Sequence, residues 1–309
     1  MATRLKPLDL SQLQTASVRR RAYRLDVERL AQVPQPTHPL QEFYRDLPKV
    51  GRSVALLDAA ELIAETAVEA RPMIWIIDGV LLERGLSPLV VHLIRRGLVQ
   101  CIVMNGEAAL RDYEIAFHGV TAEDIAAGLE DGQLGLARET GEGINAIINE
   151  GVKRGFSIGE CLGRGILDRQ PKYFTHSLLA TGAARLTPLT IHLSMGADGF
   201  QRYPGADGSL LGKGSLKDSF ILGNLLTTIP PGTLLIAAHH SPTLNQVFLH
   251  AFALARNTSP QLGGLHLIRL GEAVPPLAEL PNPGICRDLD GPVELVLPLL
   301  LGAVFSLIE

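Results

Sequence analysis

At 309 residues and 46% hydrophobic side chains, the chain can build one large α/β domain or two smaller ones and has ample material for a packed core. Its 28 basic and 32 acidic residues are intermixed and leave a formal net charge of -4, so nothing electrostatic points to nucleic acid or an anionic membrane as partner. Cys101, Cys161 and Cys286 are odd in number and lack metal-ligand spacing, from which we expect a reducing cytoplasm and no metal site.

Residues 1–50 are arginine-rich and then punctuated by proline (Val33-Pro34-Gln35-Pro36, His38-Pro39), the pattern of an extension draped over the main body or reaching a neighbouring subunit. Arg4, Lys6 and Asp9 interrupt any apolar core that a signal peptide would need. The Arg19-Arg20-Arg21 run reads as a solvated face, with a phosphate or subunit contact as the other possibility. Helical periodicity begins at Ser53 and runs through Leu62 to Val68. Met73-Ile74-Trp75-Ile76-Ile77 is short, rich in β-branched residues and stopped by Asp78-Gly79, so it predicts a strand buried on both faces.

Ser87-Pro88 then opens a helix whose inward stripe is Leu89, Val90, Leu93 and Ile94, and Arg95 and Arg96 complement its negative end before Gly97. Cys101-Ile102-Val103-Met104 is the next strand. It stops at Asn105-Gly106, and Leu110, Tyr113 and Phe117 mark one face of the helix beyond it. Such a βαβ crossover is right-handed, and ligands collect beyond the carboxyl ends of its strands.

Thr121 with Asp124 resembles a capping signal for a helical stretch that continues through Ile144 to Glu150. The α/β rhythm then resumes with a helix from Ser177 to Ala184, a strand from Leu189 to Met195, a Gly-rich loop and a helix near Leu216 to Leu226. A strand from Leu234 to Ala238, a helix opened by Ser241-Pro242 and a strand from Leu265 to Leu270 follow. The apolar stretch Val293 to Ile308 contains Glu294 and Pro298 and falls short of the roughly 20 residues that span a bilayer, so it reads as a buried strand and helix or a subunit interface. We therefore expect a soluble α/β protein. Its 51–309 region would be a single doubly wound, Rossmann-like, mostly parallel sheet with helices on both faces, preceded by the N-terminal extension.

The predicted strand ends collect Asp78-Gly79, Asn105-Gly106, Asp198-Gly199 and His239-His240-Ser241. Asp-Gly and Asn-Gly are good turn formers wherever they occur. Four such corners at neighbouring strand ends, with helix N-termini behind them, would also suit a dinucleotide. Gly141-Glu142-Gly143-Ile144-Asn145-Ala146 has G-x-G-x-x-A spacing but follows a helical segment, which reads as a helix start or kink. Gly208 to Ser215 approaches a phosphate-binding loop, but Gly214 stands where Ser or Thr must follow the lysine, so ATP hydrolysis is not expected. His239 and His240 point to opposite sides of a strand, leaving one for acid/base work, while His192 reads as a core or interface residue. Asp112 and Glu114 lie about 200° apart around a helix and cannot pair, which leaves Asp112 alone as a candidate.

The segment from Gly85-Leu86-Ser87-Pro88-Leu89 through Met104-Asn105-Gly106 to Asp112-Tyr113-Glu114 resembles the first nucleotide-binding half of the deoxyhypusine synthase superfamily. The similarity is greater to the bacterial deoxyhypusine-synthase-like proteins. Gly196-Ala197-Asp198-Gly199 is similar to that family's strand-end turn, and Pro242 to Asn257 to its late helix. The resemblance implies a Rossmann-type fold, NAD bound between subunits and a homotetramer. It departs from the true synthases, which oxidise spermidine with NAD and carry the aminobutyl group on the lysine of a C-terminal Trp-Gly-Lys. Here the last lysine is Lys217 and the only tryptophan is Trp75, and Met104-Asn105-Gly106-Glu107-Ala108 replaces the family's Thr-Thr-Ala-Gly-Gly turn.

The leading expectation is a cytoplasmic, oligomeric NAD-dependent enzyme acting on a small amine or amino acid, and not an authentic synthase. Asp78, Gly79, Asn105, Gly106, Asp198, Gly199 and Ser241 would hold the cofactor, and His240 or Asp112 would handle protons. The alternatives are a nucleotide-binding or scaffolding oligomer without catalysis, and a synthase whose lysine has moved to Lys213 or Lys217.

Overall fold

The computed structural model describes residues 39–308 apart from 131, 133, 239, 240, 272–276, 278, 279, 281 and 282. Six strands form one sheet: β1 (Met73–Ile77), β2 (Cys101–Asn105), β3 (Leu189–His192), β4 (Leu234–Ala238), β5 (His266–Leu270) and β6 (Cys286–Leu289). Every pairing is parallel and the order is β3-β2-β1-β4-β5-β6. The chain winds outward from β1 through β2 to β3, then returns to the other side of β1 and winds outward again. The order therefore reverses between β1 and β4, the position at which open α/β sheets leave a crevice beyond their carboxyl ends.

The twelve helices are α1 (Leu40–Asp46), α2 (Arg52–Val68), α3 (Gly79–Glu83), α4 (Ser87–Arg95), α5 (Gly106–His118), α6 (Ile125–Glu130), α7 (Arg138–Lys153), α8 (Ile158–Arg169), α9 (Leu178–Arg185), α10 (Gly208–Thr227), α11 (Pro242–Thr258) and α12 (Val293–Ile308). Strand alternation divides the core in two. Trp75, Ile77, Ile102 and Met104 pack with residues of α2, α4, α5, α7, α8, α9 and α12, whereas Ile74, Ile76, Val103 and Leu235 face α10 and α11. Both faces of the central strands are thus covered, which is why those strands read as unbroken apolar runs.

Two segments differ from the sequence expectation for identifiable reasons, and a third, expected as a helix start or kink, falls in the opening turns of a helix. β3 ends at His192, three residues before Met195, because side chains take the next amides: Leu193 N–H donates to Ser215 Oγ and Ser194 N–H to the Asp198 carboxylate. Gly208 to Ser215 is not a loop but the opening of α10, whose first amides are capped by Asp207. Gly141 and Gly143 lie within α7, where a Cβ at either would strike Tyr203 or the Tyr113 hydroxyl, so close helix packing accounts for the spacing. Between Thr121 and Glu150 the chain forms two helices, α6 and α7. α12 is one continuous helix with Pro298 inside it, packed on α1 and α2, and no helix among the described residues is long and apolar enough to cross a membrane.

The connection from β2 to β3 occupies residues 106–188, and Asp112 fastens its two ends together. This residue is fully buried on α5, and its carboxylate accepts from Ser177 Oγ (2.5 Å), Leu178 N (2.7 Å) and Leu179 N (3.1 Å) at the start of α9. Asp112→Ala would leave a hydroxyl and two amides without a partner. It is expected to lower unfolding stability by about 2–4 kcal/mol, with Asp112→Asn retaining part of that, as read from urea titrations of the three proteins.

Candidate functional site

All the expected strand-end corners within the described residues lie along the carboxyl edge of one sheet, because the sheet is parallel throughout. Asp78 is the N-cap of α3, accepting from Val80 N at 3.1 Å, and Asn105 Oδ1 caps α5 through Ala108 N at 2.9 Å. Ser241 Oγ caps α11 through Leu244 N at 3.3 Å, on the far side of the strand-order reversal. These short polar side chains satisfy amides that a helix start leaves open.

The first three corners touch one another. A Cβ on Gly79 would lie 2.7 Å from Glu107 Cγ, and one on Gly106 would lie 2.7 Å from Asp198 Oδ1. Glycine is required at both places because an acidic side chain from the next corner rests on the backbone there. Asp198 Oδ2 also accepts from Ser194 N (2.9 Å) and Gln201 Nε2 (3.0 Å), which fixes the loop after β3. Gly199 lies beside it and lines an adjoining cavity of about 190 Å³ together with Leu110, Arg111, Glu123, Arg202 and Tyr203.

The electrostatics of this edge are acidic. Arg111 is held by Glu107 (2.5 Å), Glu83 (2.9 Å) and Glu114 (3.5 Å), and Thr121 Oγ1 donates to Glu114 at 2.6 Å. Burial raises Glu107 above the usual carboxylate range, with Arg111 opposing and Glu83 and Glu114 adding to the shift. Asp198 is pushed up to about 7 by burial, against the pull of the Ser194 amide and with a further push from Glu107. An acid that titrates near neutrality is suited to accepting and returning a proton. Arg202 makes no ion pair within 4 Å among the described residues, though its charge favours the ionised form of Glu107, so the cavity lining combines two arginines with several carboxylates.

Other expected residues lie elsewhere. Asp112 is fully buried, and both of its carboxylate oxygens are engaged by Ser177, Leu178 and Leu179 at the start of α9. His240 and His239 fall outside the described residues. His192 is buried against Thr190 and Ser219, and desolvation lowers it to about 4, so it is a neutral core imidazole. Lys217 Nζ is bound to Gly155 O (2.5 Å) and Glu160 (3.3 Å), and Lys213 lies on α10, so the segment containing both is helical. Arg111 and Arg202 were not among the expected site residues, and Glu107 entered the sequence reading only as a residue of the replaced cofactor turn that would repel a phosphate or bind a ribose hydroxyl. The i, i+4 pair of Glu107 and Arg111 was visible in the sequence, but that spacing usually marks a solvated helix face.

No protein-family model matches this sequence, and no curated protein matches it. Solved structures do. AgrE, in a ternary complex with ornithine and NAD+, overlays with a TM-score of 0.51 at 15% identity over 82% of this chain and 33% of its own. ArgZ, an arginine dihydrolase from the ornithine-ammonia cycle in cyanobacteria, gives 0.51 at 14% over 82% and 33%. A protein assigned to the LOR/SDH type from Methanococcus maripaludis S2 gives 0.52 at 14% over 89% of this chain and 72% of its own. The chain spans about a third of ArgZ and AgrE, and at these identities the likeness is one of fold.

The raised Asp198 has a consequence for stability. A carboxylic acid that holds its proton to about 7 when folded and to 3.8 when free stabilises the fold below pH 4 and loses that contribution as pH rises toward 7. The stability advantage of wild type over Asp198→Asn is therefore expected to shrink steadily between about pH 4 and 7, as measured by chemical denaturation at each pH. A difference that stays constant or grows would contradict the burial of this group.

Proposed function

We propose that this chain is an NAD-dependent enzyme acting on a small amine or amino acid, built on the fold it shares with these neighbours. The observation that carries the reading is the convergence of Asp78, Gly79, Asn105, Gly106, Asp198 and Gly199 on one sheet edge beside the strand-order reversal, with Ser241 across it. The ornithine and NAD+ named for AgrE support it, as does the sequence resemblance to deoxyhypusine synthases.

The residues present fit NAD unevenly. Ser241 and the N-terminus of the 17-residue α11 suit a pyrophosphate, because the first turn of that helix carries no acidic residue. Glu107 and Asp198 suit ribose hydroxyls, which donate to carboxylates where a phosphate would be repelled. Bound there, NAD would supply the acceptor for a hydride from the carbon bearing the amine. Asp198 takes and returns the proton, and His240, outside the described residues, stays a second candidate on its sequence alone. The carboxylates of Glu107, Glu114 and Glu123 hold a cationic substrate, and Leu110 and Phe200 limit its access to water. Transfer of an aminobutyl group through a lysine imine is not part of this proposal, since no lysine follows Lys217. A cytoplasmic homotetramer is included on the strength of the family resemblance.

The two carboxylates seated against Gly79 and Gly106 favour a second reading, in which the fold and nucleotide site persist without turnover. Calorimetric titration with NAD separates both readings from none, and the absorbance of reduced cofactor in the presence of ornithine, lysine or spermidine separates the first from the second. We expect saturable heat at millimolar NAD or below. We also expect turnover that rises with pH through about 7, the window set by Asp198, and falls by about 100-fold or more in Asp198→Asn. The absence of heat at millimolar NAD would sink the cofactor assignment.

A further inference from the structure

A second cavity lies at the other end of β3 from the acidic edge. Its volume is about 470 Å³, within the range of small-molecule sites, and it runs along the outer side of β3 between α8, α9 and α10. Its walls are largely hydrocarbon, with Leu167, Leu179, Ala183, Leu186, Leu189 and Ile221 facing it. Among these, Leu186 is unusual on two counts. It closes α9 in the left-handed region at φ 58°, a conformation that favours Gly or Asn, and it is 90% exposed. A large apolar side chain is thus kept in water at the mouth of an apolar groove.

Asp218 is also part of the lining and is 1% exposed. Its Oδ2 accepts from Gly159 N at 3.0 Å at the start of α8, and the Ser157 hydroxyl and Ile191 amide lie close enough to favour its charged form, but Oδ1 has no donor in hydrogen-bonding geometry among the described residues. The other charged groups of the lining are engaged. Glu160 is bonded to Ser157 N (2.9 Å) and Lys217 (3.3 Å), and the Arg164 guanidinium stacks over Phe156 at 4.5 Å. A buried carboxylate oxygen without a donor is costly and calls for one. Glu160 is paired with Lys217, so the carboxylate left without a cation at this end of the groove is Asp218, which favours a cationic head over an anionic one. Burial pushes Asp218 up to about 7, the direction expected of a carboxylate that lacks a cation.

We propose that this groove is a second ligand site, for a small amphiphilic amine whose ammonium group donates to Asp218 and whose hydrocarbon body lies along Leu179, Leu189 and Ile221 beneath Leu186. It is separate from the site at the sheet's carboxyl edge, which shares no lining residue with it.

Three probes of equal chain length test the chemistry on the unmodified protein: n-hexylamine, 1-hexanol and hexanoate, each titrated by calorimetry at neutral pH. The amine is expected to bind saturably and about tenfold or more tighter than the alcohol, a difference of about 1.4 kcal/mol, with hexanoate not binding. Asp218→Asn preserves an oxygen acceptor for Gly159 and should bring the amine down to the level of the alcohol. Leu186→Gly relieves the left-handed strain and should weaken amine and alcohol alike. Hexanoate binding as well as the amine, no saturation by the amine at tens of millimolar, or equal amine affinity in wild type and a folded Asp218→Asn would each overturn the proposal. NAD titration of Asp218→Asn is expected to match wild type, so a failure here is distinguishable from a failure at the carboxyl edge.

Discussion

Everything in this molecule follows from joining parallel neighbours with long crossovers and then tying those crossovers down. β2 and β3 are adjacent in the sheet, yet residues 106–188 separate them and contribute five helices. Hydrophobic packing covers the sheet but is non-directional and cannot by itself set the register of so many short helices. Buried aspartates do that. Asp112 on α5 receives the start of α9, and Asp218 on α10 receives the start of α8. Each puts an acceptor where a helix leaves amides open and where its dipole favours negative charge. Burial still raises both carboxyls, to about 6 and about 7, so the helix ends offset the desolvation only in part.

The same device, moved to the edge of the sheet, shapes the candidate site. Asp198 bonds the Ser194 amide just after β3 and in doing so cuts the strand short, which frees the following loop to turn back across Gly106. Glu107 in turn leans on Gly79, so the corners of β1, β2 and β3 form one contiguous acidic surface. Such a surface is unsuited to phosphate and suited to hydroxyls and amines, whereas the start of α11 across the strand-order reversal carries no comparable carboxylate among the described residues. The polarity of the edge therefore runs from an amine-compatible end to an anion-compatible one.

The sheet was readable in the sequence because its central strands are covered on both faces, which makes Met73–Ile77 and Cys101–Asn105 apolar and short, with turn residues at their ends. The helix starts at Ser177 and Ser241 were equally plain, since capping is a local event. What the sequence did not disclose depends on partners distant in the chain. Met195 reads as strand until Ser215 and Asp198 compete for the neighbouring amides, and Gly208 to Ser215 reads as a loop until Asp207 caps it. Asp112 has the residue type and position of a catalytic acid, and only the approach of Ser177, 65 residues later, shows that its acceptors are occupied. The acidic surface stayed hidden for a similar reason: Glu107 and Asp198 become neighbours only when β3 joins the sheet.

Asp218 stands apart from the other two aspartates in how completely it is used. Asp112 has three donors on its two oxygens, and Asp198 has two donors as well as the backbone of Gly106 against it. Asp218 has one in hydrogen-bonding geometry, from Gly159 to Oδ2, with the Ser157 hydroxyl and the Ile191 amide near it and Oδ1 unmet. A cap for α8 could be made with an asparagine or serine at no such desolvation cost, because one neutral oxygen serves a single amide. Retaining a full carboxylate with its second oxygen unmet, at the inner wall of an apolar groove, is the kind of local conflict that folded proteins carry where something other than stability is served. Leu186 repeats the conflict at the rim, strained in its backbone and exposed in its side chain. A single occupant with a charged head and an apolar body would meet the unmet Asp218 oxygen and cover the exposed Leu186 side chain, both in the lining of one cavity.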